Sequence, residues 1–428
     1  MIAKKFRVYI HKKNVRGENK RMDIKTLALQ LHRKHRGKIA LKSKVSVDNQ
    51  HDLSIYYTPG VAEPCREIAK DKSLVYEYTS KSNWVAVVTN GTAVLGLGDI
   101  GVHASLPVME GKAILFKQFG GVDAFPICIA SKDVDEIVKT VKLIETSFGG
   151  INLEDIGAPA CFEIEERLIE SLDIPVFHDD QHGTAVVALA ALINSLKIVG
   201  KRISEVKMVI NGAGAAGIAT AKLLLKYGAK NIVVCDKHGA IYEGREEDMN
   251  KYKEEIAKIT NREGINGSLK KAIEGADVFI GLSVANVLGE DDVKKMSSNA
   301  IVMAMANPIP EIMPDIAKKA GARIVCTGRS DFNNQVNNVL AFPGIFRGAL
   351  DVMATRITDE MKIAAAEAIA KIAEEELSED YVIPKPFNKR VAFEVALAVA
   401  KKAMEQKVAR LYLNDDELTS RILSMLSM

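Results

Sequence analysis

A glycine-rich loop between a predicted strand and a predicted helix constrains this chain more than any other feature. Residues 206–211 form a short apolar run that leads directly into Gly-Ala-Gly-Ala-Ala-Gly at 212–217, and residues 218–227 then carry apolar side chains at helical spacing. Such a loop needs glycine for a tight turn, for close backbone approach to a pyrophosphate and for packing of the helix on the strand. The pattern predicts a dinucleotide-binding βαβ unit. Its predicted cofactor-binding residues are Gly212, Gly214, Ala215, Ala216 and Gly217.

An acidic residue ends the next predicted strand, at residues 232–235. Asp236 can accept hydrogen bonds from the adenosine ribose hydroxyls, and its charge would repel a 2′-phosphate, which favours NAD. Lys237 follows it directly and could reach toward such a phosphate, although a solvated loop cation is the simpler explanation. The sequence therefore predicts NAD, with NADP as the alternative.

Strands and helices alternate around this unit, which predicts an α/β fold with a doubly wound parallel sheet of Rossmann type. Further strands are predicted at 277–282, 300–306 and 322–326, and helical stretches begin near residues 268, 290 and 314. Upstream, we predict a strand at 84–89, a helix at 133–146 capped by Ser131, and a helix at 160–171. An alanine-rich helix at 184–196 joins the two parts, and amphipathic helices are predicted at 358–377 and 390–404.

This pattern divides the chain into four parts. We predict a basic N-terminal extension (1–22), a substrate- and metal-binding domain (23–183), an NAD(P)-binding domain (184–335) and a C-terminal helical segment that completes the cleft (336–428).

The positive charge of the chain belongs to its first 22 residues. These hold eight Lys or Arg and one Glu, whereas the whole chain carries only +3, so the remainder is acidic. A basic tail could bind nucleic acid or a membrane surface, but this one has no apolar stretch typical of a secretory signal. We interpret it as a solvated extension, or as sequence upstream of a start at Met22; organellar targeting and contact with another subunit are the alternatives. No nucleic-acid or membrane partner is predicted.

Apolar and cysteine patterns indicate a cytoplasmic protein. The longest apolar run, at 184–193, is about half of the roughly 20 residues that cross a bilayer, so we predict no transmembrane helix. The odd number of cysteines, far apart and without a C-x-x-C pair, predicts buried free thiols in a reducing compartment rather than disulfides or a zinc site. They are Cys65, Cys128, Cys161, Cys235 and Cys326.

Two acidic pairs, Glu154-Asp155 and Asp179-Asp180, lie within the predicted substrate domain. Carboxylate oxygens are the ligands that Mg2+ and Mn2+ prefer. Adjacent acidic residues are also common on protein surfaces, so their spacing alone leaves a surface explanation open.

The wider motif set resembles the malic enzyme family, and most closely its small-subunit bacterial and archaeal branch. The motifs follow the family's order and span residues from about 27 to 410. They are Tyr-Thr-Pro-Gly-Val-Ala (57–62), Gly-Leu-Gly-Asp-Ile-Gly (96–101), a Glu-Gly-Lys turn (110–112), Asn-Leu-Glu-Asp (152–155), Asp-Asp-Gln-His-Gly-Thr (179–184), Ala-Asn-Pro (306–308) and Asn-Asn-Val-Leu-Ala-Phe-Pro-Gly (337–344).

The resemblance implies a role for each matched residue. Taken singly, each has an ordinary explanation as a packing residue, a solvated cation or a loop cap, so the roles rest on the combined match. The implied roles are Tyr57 as general acid, Lys112 as general base, Glu154, Asp155 and Asp180 as metal ligands, Asp179 as the residue that orients Lys112, Asn307 as a cofactor and substrate contact, and Asn338 as a substrate contact. His178 and His182 flank the metal pair and are interpreted as structural, because imidazole is not the expected ligand of Mg2+.

The sequence departs from the family at one position. Larger members carry an arginine that grips a malate carboxylate where this chain has Ala93. The resemblance therefore leaves carboxylate recognition to other groups, and the two asparagines are the candidates.

The resemblance implies oxidative decarboxylation of malate to pyruvate and CO2, with reduction of NAD(P) and a requirement for Mg2+ or Mn2+. Lys112 would take the hydroxyl proton, for which it must be desolvated or lie beside positive charge, and Tyr57 would protonate C3. A homodimer is also implied, and whether Tyr57 serves its own cleft or a partner's stays open. The alternatives are malolactic conversion of malate to lactate with retained NAD, and a non-catalytic NAD-binding sensor.

Overall fold

The computed structural model describes residues 23–94 and 96–427. The chain divides by its internal contacts into two units, Met1–Ala40 and Leu41–Met428. In the first unit, helix α1 (Ile24–His35) begins after Asp23, whose carboxylate accepts hydrogen bonds from the amides of Lys25 and Thr26. The basic extension predicted at 1–22 lies outside the described residues.

The second unit begins with a parallel four-stranded sheet in the order β2-β1-β3-β4. Parallel strands need crossover connections, and helices supply them here. The elements are α2 (Gln50–Tyr56), α3 (Ala62–Lys70), α4 (Val75–Tyr78), β1 (Trp84–Thr89), α5 (Val102–Gly120), β2 (Asp123–Cys128), α6 (Val134–Ile144), β3 (Gly150–Leu153), α7 (Ala160–Ser171) and β4 (Val176–His178).

A six-stranded sheet follows in the order β10-β9-β8-β5-β6-β7, parallel except for the antiparallel edge strand β7. The predicted doubly wound sheet is confirmed. Its elements are α8 (Asp179–Val199), β5 (Lys207–Asn211), α9 (Ala215–Lys226), β6 (Asn231–Asp236), β7 (Gly239–Ala240), α10 (Lys251–Ile259), α11 (Leu269–Ala272), β8 (Val278–Gly281), α12 (Glu290–Lys294), β9 (Ile301–Ala304), α13 (Pro314–Lys319) and β10 (Ile324–Thr327).

Four helices end the chain and share a core with both sheets. They are α14 (Phe342–Asp351), α15 (Asp359–Ala373), α16 (Arg390–Glu405) and α17 (Asp415–Leu426). Every residue of α14 is buried. One apolar cluster contains Val85 of the first sheet, Ile210 of the second and Ile345 of α14. The predicted C-terminal helical segment therefore packs across the two sheets rather than forming a separate body.

Helix α8 is the central core helix. By length and composition alone it could cross a membrane, yet 67% of its most apolar stretch is buried inside the protein. It begins at Asp179 rather than at the predicted residue 184, so the predicted domain boundary at 183/184 lies inside it. Asp179 and Asp180 thus occupy its first turn, where negative charge interacts favourably with the helix dipole.

Three predictions of local structure were wrong. The predicted turn at 110–112 lies inside α5, although that helix contains Pro107 and Gly111. The N-cap of α6 is Asp133, not Ser131, whose hydroxyl instead donates to the Glu136 carboxylate at 2.5 Å. All five cysteines are free, but Cys65 is exposed and Cys128 only half-buried, so the expectation of buried thiols holds for the other three.

Candidate active site

A buried lysine joins two carboxylates at one edge of the first sheet. Lys112 Nζ, on α5, lies 2.6 Å from Asp179 Oδ2 and 2.8 Å from Glu154 Oε1, and 4.2 Å from the centroid of the Phe342 ring. Glu154 directly follows β3, and Asp179 follows the neighbouring parallel strand β4. Because parallel strands end at the same edge, the fold brings together residues that are far apart in sequence.

The three predicted metal ligands form a compact group. One carboxylate oxygen from each of Glu154, Asp155 and Asp180 lies within 4.8 Å of the other two. Asp155 adopts a left-handed conformation (φ 53°), and its amide donates to Asp180 Oδ2 at 2.7 Å, which fixes the two acidic pairs against each other. An all-oxygen, anionic donor set of this kind fits Mg2+ or Mn2+.

Burial and crowding set the charge balance of this group. Burial raises the pKa of Glu154, and the neighbouring carboxylates raise it further, against the opposing effect of Lys112. Burial alone would lower the pKa of Lys112, but Asp179 and Glu154 outweigh it and raise that pKa. Burial would raise the pKa of Asp180, yet the His178 side chain, whose Nε2 lies 3.3 Å from Asp180 Oδ2, lowers it. The expectation that Lys112 is desolvated is confirmed, but its neighbours are negative rather than positive.

Asp179 links the lysine to the C-terminal part of the chain. Its Oδ2 accepts hydrogen bonds from Lys112 and from the Asn338 side chain. Its Oδ1 is buried and has no hydrogen-bond partner among the described residues. A Cβ on Gly183, one helical turn later, would lie 1.8 Å from that oxygen, so the glycine is what lets the carboxylate fold back over α8.

Two predicted site residues are exposed, unlike this buried group. Tyr57 follows α2 and is 67% exposed, whereas Lys112 is 7% exposed. Asn307 is exposed in the loop after β9, where its carbonyl oxygen packs closely against Gly96. Ala93 lies beside the metal group, and its amide donates to the Asp155 carbonyl at 3.0 Å. Within a single chain, the fold brings Lys112 and the acidic groups together but leaves Tyr57 at the surface.

The predicted dinucleotide loop has the expected geometry. Gly212 has a φ of 126°, and a Cβ on it would lie 2.3 Å from the Leu282 carbonyl oxygen. A Cβ on Gly217 would lie 1.7 Å from the Gly212 carbonyl oxygen, so only glycine lets α9 pack on the loop. A Cβ on Gly214, the N-cap of α9, would meet only open space. Backbone amides at this helix end are therefore accessible to a phosphate.

Asp236 ends β6 as predicted, but its carboxylate is paired with two cations. Arg245 Nη1 donates to Oδ1 at 2.9 Å and its Nη2 donates to Oδ2, while Lys253 Nζ donates to Oδ2 at 2.8 Å. Burial would raise the pKa of Asp236, and these two partners lower it well below its usual range. Sequence reasoning weighed only Lys237 and missed both cations, because no local motif connects them to the strand end.

A second buried network was also missed. Glu165, on α7, accepts hydrogen bonds from the His178 amide at 2.7 Å and from Gln181 Nε2 and His182 Nε2 at 2.9 Å each. His178 Nε2 in turn lies 3.3 Å from Asp180 Oδ2. The sequence signal was present but weak: an acidic residue on the buried side of a helix whose other acidic residues face solvent.

The dinucleotide fold and the buried lysine–carboxylate group define an NAD(P)-dependent oxidoreductase. Residues 34–169 match the malic enzyme N-terminal domain, and residues 181–404 match the malic enzyme NAD-binding domain. The chain belongs to the malic enzyme family.

Relatives and solved structures agree with this assignment. A bifunctional malic/malolactic enzyme of Bacillus subtilis is 62% identical over 401 residues, covering 94% of this chain and 98% of that enzyme. An NAD-dependent malic enzyme of Geobacillus stearothermophilus is 58% identical over 376 residues, covering 87% of this chain and 78% of the relative. The crystal structure of malic enzyme from Pyrococcus horikoshii superposes with a TM-score of 0.91 at 50% identity, covering 95% of this chain and 96% of that one.

Proposed function

We propose that this protein oxidises and decarboxylates malate to pyruvate and CO2, reduces NAD(P), and requires Mg2+ or Mn2+. The observation that carries the proposal is the buried Lys112 between Asp179 and Glu154, directly beside the group of Glu154, Asp155 and Asp180. A base and a cation site in one largely buried group suit the removal of a proton from a hydroxyl group that a metal ion polarises.

Glu154, Asp155 and Asp180 would hold the divalent ion. Bound ion and bound nicotinamide would supply, respectively, polarisation of the C2 oxygen of malate and a hydride acceptor. Lys112 takes the proton of the C2 hydroxyl, and Asp179 keeps its amine in place. Glu154 contacts Lys112 and also belongs to the proposed ion site, so positive charge held there would weaken the carboxylate's attraction for the amine and would make Lys112 a better base.

Tyr57 gives a proton to C3 after CO2 has left. Because Tyr57 is exposed in a single chain, we also propose a homodimer in which the segment that carries Tyr57 meets the site of the other subunit. Exposed apolar side chains in the same stretch of chain support such an interface: Val47, Ile55 and Tyr56 are 52%, 48% and 49% exposed.

Subunit complementation tests this arrangement. Lys112→Ala and Tyr57→Phe should each be nearly inactive alone, whereas co-expression gives mixed dimers in which one of the two sites is intact. About a quarter of all sites then recover activity, because half of randomly assembled dimers are mixed and one of the two sites in each mixed dimer is intact. No recovery in purified mixed dimers would place Tyr57 in its own subunit's cleft.

We propose that NAD is the preferred cofactor and that NADP is accepted. Asp236 supports NAD, but Arg245 and Lys253 already compensate its charge, so it repels a 2′-phosphate less than a free carboxylate would. For the carboxylates of malate, Asn338 beside Asp179 and Asn307 are the proposed contacts. Arg329 is a cation near Asn307: its Nη1 lies 3.4 Å from the Pro308 carbonyl oxygen, and its Nη2 pairs with Asp331 at 2.7 Å.

The deciding experiment incubates purified protein with malate, Mn2+ and either NAD or NADP, and measures reduced cofactor, pyruvate and lactate. We expect pyruvate and reduced cofactor in equal amounts. Absence of turnover with both cofactors would overturn the proposal. The name of the Bacillus relative makes malolactic conversion the second candidate, and lactate without net cofactor reduction would establish it.

A further inference from the structure

A buried carboxylate on α7 faces the turn that carries the metal group, without belonging to that group. Glu165 is 5% exposed, and its two oxygens accept three hydrogen bonds, from the His178 amide, Gln181 and His182. All three donors belong to the stretch 178–182, which also contains Asp179 and Asp180. The Glu165 carboxylate therefore accepts hydrogen bonds from residues on both sides of the Asp179-Asp180 pair.

The network continues away from the metal group into α15. Lys362 Nζ lies 3.1 Å from His182 Nδ1 and 3.1 Å from Asp359 Oδ1. Since an ammonium group can only donate, His182 Nδ1 accepts, and the proton of the ring is on Nε2, which donates to Glu165. Each hydrogen bond in the chain from Asp359 to Glu165 thus has a defined direction.

We propose that Glu165 is a positioning residue, which, supported by His182 and Lys362, sets the Asp179–Asp180 turn so that Asp180 meets Glu154 and Asp155 around a divalent ion. The inference rests on the proposed function for the role of that ion. Glu165 itself touches neither the proposed ion group nor Lys112 in the contacts of the described residues.

The chemistry of the three donors explains why a carboxylate is required. A carboxylate offers two accepting oxygens, and both are used: Oε1 by the His178 amide and Oε2 by Gln181 and His182. A glutamine has the same shape but places an amide donor against at least one of these N–H groups. Buried donors that lose their acceptor are costly, so the turn must shift to relieve them.

Glu165→Gln in the full chain tests the proposal, with Mn2+ as the probe and no malate present. Mn2+ binding is measured by electron paramagnetic resonance of the free ion, and folding by thermal unfolding without metal. We expect affinity for Mn2+ to fall about 10- to 100-fold, the usual effect of losing a residue that supports metal ligands. Glu163→Gln is the matched control, because Glu163 lies on the same helix but is exposed and pairs with Arg167 at 3.1 Å; it should bind Mn2+ as wild type does.

Lys362→Met tests the proposed positioning network if Glu165→Gln does not fold. It removes the outer support of His182 while keeping an unbranched side chain, and we expect a smaller loss of Mn2+ affinity, roughly threefold. A folded Glu165→Gln protein with wild-type Mn2+ affinity would overturn the inference, as would an unchanged Lys362→Met protein if only that variant folds. Failure of the proposed function is a separate result: wild type would bind Mn2+ yet leave malate unreacted.

Discussion

The proposed metal site and the dinucleotide loop, here called the metal end and the dinucleotide end, are built in opposite ways. At the dinucleotide end, the backbone of one short loop forms the site, and two glycines, Gly212 and Gly217, determine its shape. At the metal end, side chains form the site, and they come from α5, the ends of β3 and β4, and the turn before α14. The first site is local in sequence; the second exists only when two layers of the fold are packed.

This difference predicts how each end fails. A backbone site is damaged when a side chain takes up space, whereas a charged side-chain site is damaged when one charge loses its partner. Each end also contains a glycine that a neighbouring oxygen approaches closely, Gly217 and Gly183. Substitutions at the two ends should therefore separate NAD binding from metal-dependent chemistry.

The largest expected effect comes from removing Lys112, the proposed base. Lys112→Ala should reduce kcat for malate oxidation by about 10²- to 10⁴-fold, because proton removal loses its acceptor and two buried carboxylates lose their cation. Affinity for NAD, measured by calorimetry, should stay unchanged. Lys117→Ala, on the same helix but at an exposed position, is the control. Substantial residual turnover in the Lys112 variant would remove this lysine from the base role.

Gly217→Ala should damage only the dinucleotide end. Its methyl group would lie 1.7 Å from the Gly212 carbonyl oxygen, so α9 must move and NAD should bind roughly tenfold more weakly, while Mn2+ binding persists. Gly214→Ala sharpens the test, because its methyl group meets open space. That variant should keep its thermal stability and still lose NAD affinity; unchanged affinity would mean that the pyrophosphate does not approach this residue.

Gly183→Ala is the counterpart at the metal end. The added methyl group would lie 1.8 Å from Asp179 Oδ1 and push that carboxylate away from Lys112. We expect kcat for malate oxidation to fall about tenfold with NAD affinity intact, since overpacking at a buried site costs on the order of 1–3 kcal/mol. Equal losses of NAD affinity and kcat would show that the two ends are not separable in this way.

An effect of no more than this size is expected on the choice of cofactor. Asp236→Ser removes the negative charge but leaves Arg245 and Lys253, so kcat/KM for NADP relative to NAD should rise by about tenfold. Asp248→Ser is the matched control, because Asp248 also pairs with Lys253 but is far more exposed. A ratio that rises equally in both variants would assign the effect to the freed lysine rather than to Asp236.

The two ends also differ in how far the sequence could predict them. The glycine loop, Asp236 and the strands around them were predicted from residue patterns, since short-range rules govern turns and strands. Lys112 was placed in a turn and lies in a helix, because Pro107 and Gly111 lower helix propensity and only burial of α5 against the sheet overrides them. Arg245 and Lys253 were missed, because a buried ion pair leaves no periodic signal along the chain. Glu165 left only the weak signal of an acidic residue on the buried side of α7.

The sequence by itself determined the class of fold, the dinucleotide loop and, through its ordered motifs, the family. Only the tertiary structure decided that Lys112 lies between Asp179 and Glu154, that Asp236 is compensated by Arg245 and Lys253, and that Tyr57 is exposed in a single chain. The physical reason is the separation along the chain of the residues that interact. Turn and strand preferences act between neighbours in the chain, whereas the charge and burial of a group depend on which distant residues the packed sheets and helices bring against it.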